Sequence, residues 1–222
     1  MARIPRVELV DFPHHLTQRG NRRLQTFYSQ SDYGAYMRLM AEAKQKAAVS
    51  VWAYCLMPNH VHYVVVPTHR GGLARLMQHP HRRYAWRVNR RMQWQGHLWQ
   101  SRFYSCPMDE EHLMAVVRYI ELNPVRAGLC SDPQEWRWSS VHAHYRGESD
   151  DLVDVEPMLE RVSNWGAYLA DAPPVGLIDT VRENVISGRP AGNEAFVSLA
   201  EKLAGKRLRK CKPGPASKRF RN

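Results

Sequence analysis

The fold is decided by residues 57–66, which carry two histidines one position apart in a β-branched run. The stretch reads Met57-Pro58-Asn59-His60-Val61-His62-Tyr63-Val64-Val65-Val66. Alternate residues of a strand point to the same face, with Cα atoms about 6.6 to 7 Å apart, and neutral imidazole is a common metal ligand. His60 and His62 can therefore converge on one cation. Two hydrogen-bonded histidines on a half-buried strand would give the same pattern, so the spacing alone leaves both interpretations open.

Strand and helix signals alternate on both sides of this stretch. The sequence predicts strands over residues 12–19, 49–57, 60–67 and 103–106, with Pro58-Asn59 joining the middle two into a hairpin. It also predicts one helix capped by Ser31 or Asp32 and another over residues 73–92. The order strand, helix, hairpin, helix, strand is that of ferredoxin-like and RRM-like folds. We therefore expect an α+β protein in which helices pack on an antiparallel sheet.

The clearest helix signal covers residues 109–123 and ends at Pro124, which should push Asn123 toward extended geometry. Acidic residues occupy its first turn, where they suit the helix dipole. His112, Tyr119 and Asn123 fall along one stripe beside the apolar seam, where they could face a cleft. Tyr119 then offers a nucleophilic hydroxyl and Asn123 an oxygen ligand. Taken singly, a tyrosine beside a seam is more often packing, Asn123 a helix terminator and His112 an exposed residue.

The last third of the chain differs in composition from the rest. An acidic stretch at residues 148–151 predicts a linker, and helices are predicted over residues 156–169, 177–186 and 193–204. A helical pair here could be a helix-turn-helix, but simple packing is the more common arrangement. We expect three units: a catalytic domain at 1–147, a helical region at 148–206 and a basic tail at 207–222.

Composition indicates a folded protein with a polyanionic partner. The 222 residues are 44% hydrophobic and 24% charged, which is too apolar for wholesale disorder. The formal net charge is +11. The arginines of residues 75–91 lie among the aromatic residues Tyr84, Trp86, Trp94 and Trp99, a mixture that suits phosphate pairing and base stacking. The candidate contacts with this polyanion are His15, Arg19, Asn21, Arg22, Arg23, Arg83, Arg87, Arg90, Arg102 and Lys210.

Several other classes of protein are disfavoured. The four cysteines show no CxxC pair or regular spacing, which predicts neither a zinc knuckle nor a disulfide framework and favours a reducing cytoplasm. The N-terminus lacks the apolar core of a signal peptide, and no apolar run is long enough to span a membrane. Gly71-Gly72 lacks the Gly-Lys-Ser/Thr of a P-loop, and no His-Glu-x-x-His metalloprotease motif occurs.

Ordered motifs along most of the chain resemble one family. They are Phe12-Pro13-His14-His15-Leu16-Thr17-Gln18-Arg19-Gly20-Asn21, Met57-Pro58-Asn59-His60-Val61-His62, Gly96-His97-Leu98-Trp99-Gln100-Ser101-Arg102-Phe103 and Tyr119-Ile120-Glu121-Leu122-Asn123-Pro124-Val125-Arg126-Ala127-Gly128. Trp136-Arg137-Trp138-Ser139-Ser140 and the stretch from Gly188 to Lys210 also look like the family. The chain resembles the single-tyrosine HUH transposases, and especially the REP-associated tyrosine transposases.

The resemblance implies an HUH nuclease fold and a specific chemistry. His60, His62 and Asn123 would hold Mg²⁺ or Mn²⁺, and Tyr119 would attack a DNA phosphate to give a 5′-phosphotyrosine link. His112 is a candidate to assist Tyr119, because a phenol has a reference pKa of about 10 and needs help to ionise. The expected substrate is single-stranded or hairpin DNA, which the enzyme cleaves and rejoins in DNA transposition and recombination.

Two other functions remain open on the sequence alone. The same fold could serve a catalytically inactive nucleic-acid-binding protein or repressor, or a metal-dependent hydrolase that uses water and does not need Tyr119. The presence of His60, His62 and Tyr119 together favours the transposase chemistry. We expect a cytoplasmic, nucleoid-associated protein. Monomer and homodimer are equally compatible with the sequence.

Overall fold

A four-stranded antiparallel sheet organises the computed structural model, which describes residues 5–171 and 176–209. Its strands are β1 (His14–Arg19), β2 (Val49–Met57), β3 (His60–Pro67) and β4 (Tyr104–Pro107), in the spatial order β2-β3-β1-β4. β2 and β3 form the predicted hairpin, in which Met57 pairs with His60. The expected α+β fold is confirmed. Two strand predictions shift by residues at their ends, since β1 begins at His14 rather than residue 12 and β4 covers 104–107 rather than 103–106.

Two long helices, α1 (Gln30–Ala47) and α2 (Gly72–Met92), cover one face of the sheet. The prediction that Ser31 or Asp32 caps α1 is wrong, because Ser29 is the cap and its side chain accepts a hydrogen bond from the Asp32 backbone N–H. The Asp32 carboxylate instead binds Arg91 of α2, with contacts of 2.5 and 2.8 Å. The layer between helices and sheet is filled by apolar side chains that include Leu16, Tyr36, Met40, Val61, Tyr63, Val65, Leu73 and Met77.

The other face of the sheet is covered by α3 (Glu110–Glu121), which is followed by the single turn α4 (Asn123–Arg126). Asp109 caps α3 by accepting from the backbone N–H of His112. The predicted extended geometry of Asn123 is wrong. Pro124 lies in the first turn of α4, where its missing N–H costs nothing, so a new helical turn starts at Asn123.

Five helices follow residue 140 in the described part of the chain. They are α5 (Val141–Arg146), α6 (Glu156–Leu159), α7 (Trp165–Ala170), α8 (Leu177–Ser187) and α9 (Glu194–Ala204). Side chains of α5 to α8 join the two cores of the sheet. The single helix predicted over 156–169 is wrong, because α6 ends at Leu159 and a new helix, α7, starts at Trp165 with Asn164 as its cap through the Ala167 N–H. The division at residue 147 stays a prediction.

Residues near that predicted boundary are packed into the fold. Asp150, in the expected linker, accepts a hydrogen bond of 2.7 Å from the Tyr54 hydroxyl. Leu152, Val153 and Val155 then enter the core under α1, while Trp165 and other side chains of the C-terminal helices pack with α3. The helical region up to α8 is therefore built onto the sheet, whereas α9 packs in a separate small cluster.

The C-terminal end of the described chain packs against its N-terminal segment. Leu208 is buried with Val7 and Leu9 and with Phe196 and Ala200 of α9. Arg209 pairs with Glu194 at 2.9 Å and with Glu201 at 2.7 Å. The first residues of the predicted basic tail are thus held in place, and residues 210–222, with Cys211 and Lys210, lie outside the described part.

Cys55 and Cys106 are buried and Cys130 is partly exposed, and all three are free thiols. In the part of the chain that the structure describes, no helix combines the length and the apolarity that crossing a bilayer would take.

Candidate active site

Strand pairing brings the two histidines of β3 onto one face with polar residues of β1. His62 is the Cα partner of Thr17, and His60 is the partner of Arg19. Val61 and Tyr63 point the other way into the core under α1 and α2. The two imidazole rings lie with their centres 4.9 Å apart, so the expected convergence of His60 and His62 is present.

His62 is held by a third histidine. Its Nδ1 lies 2.9 Å from Nε2 of His15, and both rings are buried. The Nε2 of His62 is also buried and has no hydrogen-bond partner. Burial lowers the pKa of His62 well below its usual value, and the neighbouring His60 and His15 lower it further. When Nδ1 donates to His15, the unpartnered Nε2 carries a lone pair that is available to a ligand.

His60 is oriented by two asparagines. Its Nδ1 lies 2.6 Å from Oδ1 of Asn59, which can only accept, so Nδ1 carries the proton. Its Nε2 faces Nδ2 of Asn123 at 3.4 Å. Burial lowers the pKa of His60 to about 4, and the nearby Arg19 contributes. His60 is therefore neutral at physiological pH, with its Nε2 lone pair directed at α4.

Tyr119 of α3 meets this histidine pair. Its ring stands perpendicular to that of His62, with the ring centres 5.8 Å apart. Both residues line a cavity of about 330 Å³, whose wall also carries Arg19, Arg23 and Arg182. The structure thus places the predicted nucleophile and the predicted imidazole pair at one site, although they are more than fifty residues apart in the chain.

The side chains present are compatible with a divalent cation. Two neutral imidazoles and an amide make a nitrogen and oxygen donor set, and the unpartnered His62 Nε2 is a ligand atom that lacks a protein partner. Asn123 presents Nδ2 to His60, so a half-turn of its amide would be needed to offer the oxygen. Residues 5–171 and 176–209 contain no cluster of three or more His, Cys, Asp or Glu suited to a metal, so an amide would have to complete this set.

Arg182 of α8 is a site residue that sequence reasoning did not find. Its guanidinium carbon lies 5.1 Å from the centre of the Tyr119 ring, and Arg126 lies 4.6 Å from the same centre. A side-chain hydrogen bond with Tyr119 raises the pKa of Arg182 above its usual value. Arg182 also pairs with Asp179 at 2.9 Å. No local motif marks this arginine, since it reaches Tyr119 only through the packing of α8 on α3.

Arg22 and Arg23 adopt the left-handed backbone region that non-glycine residues avoid, with φ values of 53° and 62°. Strained residues of this kind cluster at functional sites, where the surroundings hold them in place. The turn is anchored by Gly20, whose N–H donates to the Asn59 carbonyl at 2.8 Å. As a result, Arg23 lines the Tyr119 cavity, and Arg22 lines a neighbouring cavity together with Asn21.

Two predicted residues have other partners in the structure. His15, predicted to contact DNA, lines the Tyr119 cavity but is 1% exposed, and its Nε2 is bonded to His62. In the structure it supports His62, and its contact with DNA stays a prediction. His112, predicted to assist Tyr119, lies two turns away near the start of α3 and bonds to Asp109 at 2.7 Å. It is not among the described residues that line the Tyr119 cavity.

The remaining described candidates for DNA contact lie at the surface. Arg83, Arg87 and Arg90 are exposed on α2, where Arg83 approaches Glu42 at 3.7 Å and Arg90 lies over Trp86 at 5.2 Å. Arg102 is exposed and lines a larger cavity beside the site. Lys210 lies outside the described residues.

The fold built around this site is found in a transposase of known structure. A REP-associated tyrosine transposase, solved bound to a REP hairpin, superposes with a TM-score of 0.57 at 20% identity, covering 70% of this chain and 93% of its own. A candidate transposase from Deinococcus radiodurans R1 shows 20% identity over 54% of this chain and 96% of its own, with a TM-score of 0.38 that supports no argument. A comparison with curated proteins gave no match.

The sequence itself settles the family. Residues 9–123, more than half of the chain, match the family model described as IS200-like transposase. The chain belongs to the IS200-like transposase family. The matched region includes β1, the two histidines, Tyr119 and Asn123, whereas Arg182 lies beyond it.

Proposed function

We propose that this chain is a metal-dependent endonuclease and strand transferase for single-stranded DNA, with Tyr119 as its nucleophile. One observation carries the proposal: the Tyr119 ring meets His62 edge-on in a cavity that three arginines also line. Transfer of a phosphoryl group from DNA to protein needs a nucleophile and positive charge around the phosphate. Membership in a transposase family supports the same chemistry.

His60, His62 and Asn123 would hold Mg²⁺ or Mn²⁺, and such an ion supplies positive charge that polarises and orients the scissile phosphate. The protein's own groups prepare this position. His15 holds Nδ1 of His62 and Asn59 holds Nδ1 of His60, so that both Nε2 atoms face away from their supports. Supports of this kind fix the tautomer and the direction of a ligand histidine.

The proposed cleavage forms one bond and breaks one. The Tyr119 oxygen bonds to phosphorus, and the bond from phosphorus to the 3′ oxygen breaks with its electron pair leaving on that oxygen. The phenolic proton passes to solvent and the 3′ oxygen takes up a proton. The products are a 5′-phosphotyrosine and a free 3′-hydroxyl. Because the phosphodiester energy is retained in the new bond, a second 3′-hydroxyl can attack phosphorus and release Tyr119 without ATP.

The arginines of the cavity have separate parts in this step. Arg182 contacts the Tyr119 side chain, so its charge can stabilise the negative charge on the phenolic oxygen before attack and after release. Arg19 and Arg23 also line the cavity and can pair with the phosphate oxygens. These roles need no base near Tyr119, which agrees with the position of His112 away from the cavity.

Hairpin DNA is the proposed substrate. The transposase of related fold is described as bound to a REP hairpin, and the net charge of +11 here favours a polyanion. A single strand is narrow enough to enter a cavity between a sheet and a helix. A duplex is a broad cylinder and is too wide to enter such a cavity. The stem would then contact the exposed arginines of α2 while its unpaired flank reaches Tyr119.

The test is a covalent adduct. Labelled single-stranded hairpin DNA incubated with the protein and Mn²⁺ should give a band that survives denaturation. Tyr119→Phe should abolish the band and leave DNA binding unchanged, while the exposed Tyr145→Phe serves as a control and should still form it. Cutting by Tyr119→Phe would indicate a hydrolase that uses water. Binding without cutting or adduct by the unchanged protein would indicate an inactive binding protein.

A further inference from the structure

A buried carboxylate ends the helix that carries Tyr119. Glu121 is the last residue of α3, and its side chain is fully buried. Because successive residues of a helix are turned by about 100°, the side chains of Tyr119 and Glu121 leave α3 on nearly opposite sides. Glu121 therefore points into the protein while Tyr119 lines its cavity. The proposed cleavage step does not use this carboxylate.

Three donors from separate parts of the chain converge on Glu121. Its Oε1 accepts hydrogen bonds of 2.6 Å from the Ser140 hydroxyl and from Nδ1 of His144. Its Oε2 accepts a hydrogen bond of 2.8 Å from the indole N–H of Trp165. All three donor residues are buried. These four side chains form the Glu121 cluster, in which both carboxylate oxygens are satisfied.

The Glu121 cluster ties the end of α3 to the sheet and to two other helices. Ser140 is bound to the edge strand β2, since its hydroxyl oxygen accepts from the Tyr54 N–H and its own N–H donates to the Tyr54 carbonyl, both at 3.0 Å. His144 belongs to α5 and Trp165 to α7, and their rings stack with centres 4.0 Å apart. The last turn of α3 is thus fixed from the side opposite to the Tyr119 cavity.

The fixed turn lies between two groups of the proposed reaction. Tyr119 precedes Glu121 by two residues, and Asn123 follows it by two. Tyr119 meets the His62 ring at 5.8 Å between centres, and Asn123 faces His60 at 3.4 Å. A rotation or shift of this turn would therefore move both groups relative to the histidine pair.

Stability alone does not account for a carboxylate at this position. Burying a charge costs desolvation free energy, and replacing a buried charged cluster by well-packed apolar side chains of similar volume is often neutral or stabilising. A fully bonded polar cluster instead favours one arrangement, because a shift would leave buried donors without an acceptor. Such a cluster suits a place where orientation matters more than stability.

We propose that Glu121 is a positioning residue, which sets the orientation of Tyr119 and Asn123 toward His60 and His62 through the Glu121 cluster. This inference rests on the proposed function, because it takes Tyr119 as the nucleophile. Glu121 is buried away from the cavity, so it should affect the rate of attack at saturating DNA and not the affinity for DNA. A misplacement of about 1 Å can cost a rate factor of about a hundred.

The first test replaces the cluster by apolar side chains, with Glu121→Met, His144→Leu and Trp165→Phe in one triple variant. Both N–H donors are removed together with their acceptor, and the Ser140 hydroxyl keeps the Tyr54 carbonyl at 3.2 Å, so we expect the variant to fold. Single-turnover adduct formation should slow about a hundredfold, while the affinity measured by anisotropy stays the same. Glu121→Gln keeps an oxygen for Ser140 and His144 but loses the acceptor for Trp165, and it should slow the reaction by about tenfold.

Fluorine NMR reports on Tyr119 independently of activity. The protein is made with fluorotyrosine in place of its ten tyrosines, and the Tyr119 resonance is the one that is missing from Tyr119→Phe. This resonance should shift or broaden in the triple variant. Asp32→Asn is the matched control, because it changes a buried carboxylate that binds Arg91 between α1 and α2. It should lower the Tm and, at a temperature where it is folded, keep both the adduct rate and the Tyr119 resonance.

The two measurements decide the proposal together. It is overturned if the folded triple variant keeps either the adduct rate or the Tyr119 resonance of the unchanged protein. If the triple variant does not fold, Glu121→Gln decides by the same two measurements. If the unchanged protein forms no adduct, the proposed function is contradicted, and the resonance alone then shows whether the Glu121 cluster orients Tyr119.

Discussion

The two faces of the sheet each bury a histidine of the central strands, but the two residues differ in their hydrogen bonds. On the α1 and α2 face, both ring nitrogens of His14 are used, one with the Phe12 carbonyl at 2.8 Å and one accepting from the Leu9 N–H at 3.1 Å. On the α3 face, His62 keeps one buried nitrogen without a partner. Burial lowers the pKa of both. A lowered pKa therefore does not mark a site by itself, whereas an unpartnered nitrogen beside a tyrosine does.

Arginines divide in the same way. Arg19, Arg23 and Arg182 line the Tyr119 cavity, and of these Arg23 and Arg182 are also solvent-exposed. Arg87 and Arg90 are exposed on the outer surface of α2 and do not line that cavity. Charges fixed around a cavity can stabilise a transition state, and exposed charges mainly neutralise DNA phosphates. Variants on the α3 face should therefore change the cleavage rate, and variants on α2 should change affinity.

The largest difference is expected between His62→Ala and His14→Ala. His62→Ala should reduce the rate of adduct formation by on the order of a thousandfold, the upper end of the cost of removing one group that stabilises transition-state charge. Its affinity for hairpin DNA should stay the same. His14→Ala leaves a buried N–H without an acceptor, which costs roughly 1–3 kcal/mol and should lower the Tm by roughly 2–10 °C.

The comparison is measured by single-turnover rate, anisotropy and thermal unfolding on both variants. His14→Ala, at a temperature where it is folded, should form the adduct at the rate of the unchanged protein. Equal losses of rate in the two variants would show that the unpartnered nitrogen of His62 has no special role.

Local sequence patterns predicted a large part of this site. The two-residue period of a strand is enough to put His60 and His62 on one face. Helical spacing predicts Tyr119 and Asn123 on one stripe, and the structure places them on α3 and on the turn α4 that follows it. The sheet order also follows from the sequence of elements, because the ferredoxin-like pattern fixes which strands are neighbours. These inferences depend on residues that are close in the chain or on a known order of elements.

Long-range packing accounts for what the sequence did not reveal. His15 meets His62 across 47 positions, through the register of β1 on β3. Arg182 reaches Tyr119 only because α8 packs on α3. An arginine on an amphipathic helix looks like a surface charge until the partner helix is known, so neither contact could be read from spacing. The break in the predicted helix at Asn164 was available locally, since asparagine is a good N-cap.

A smaller loss of rate is expected for Arg182→Gln. Without the guanidinium, the phenolic oxygen has less support for negative charge, and adduct formation should slow by about a hundredfold. The affinity for hairpin DNA should change much less. Arg161→Gln, which removes an exposed arginine paired with Glu110 at 2.7 Å, is the matched control and should keep the rate.

Chemical rescue separates charge from structure in this prediction. Guanidinium chloride at millimolar concentration should restore part of the rate of Arg182→Ala and none of the rate of Tyr119→Phe. If Arg182→Gln forms the adduct as fast as the unchanged protein, then α8 covers the site without taking part in the chemistry.

The smallest effects are expected on α2, from Arg87→Gln and Arg90→Gln. Each arginine that contacts a phosphate releases about one counterion, so each substitution should reduce the slope of log affinity against log salt concentration by about 1. Affinity should fall a few-fold, while the adduct rate at saturating DNA stays the same. Arg83→Gln should do less, because Arg83 already lies 3.7 Å from Glu42. Anisotropy titrations at several salt concentrations, with Arg146→Gln on α5 as the control, measure the slopes. An unchanged slope in both α2 variants would place the DNA stem on another surface and remove the division between a face for chemistry and a face for binding.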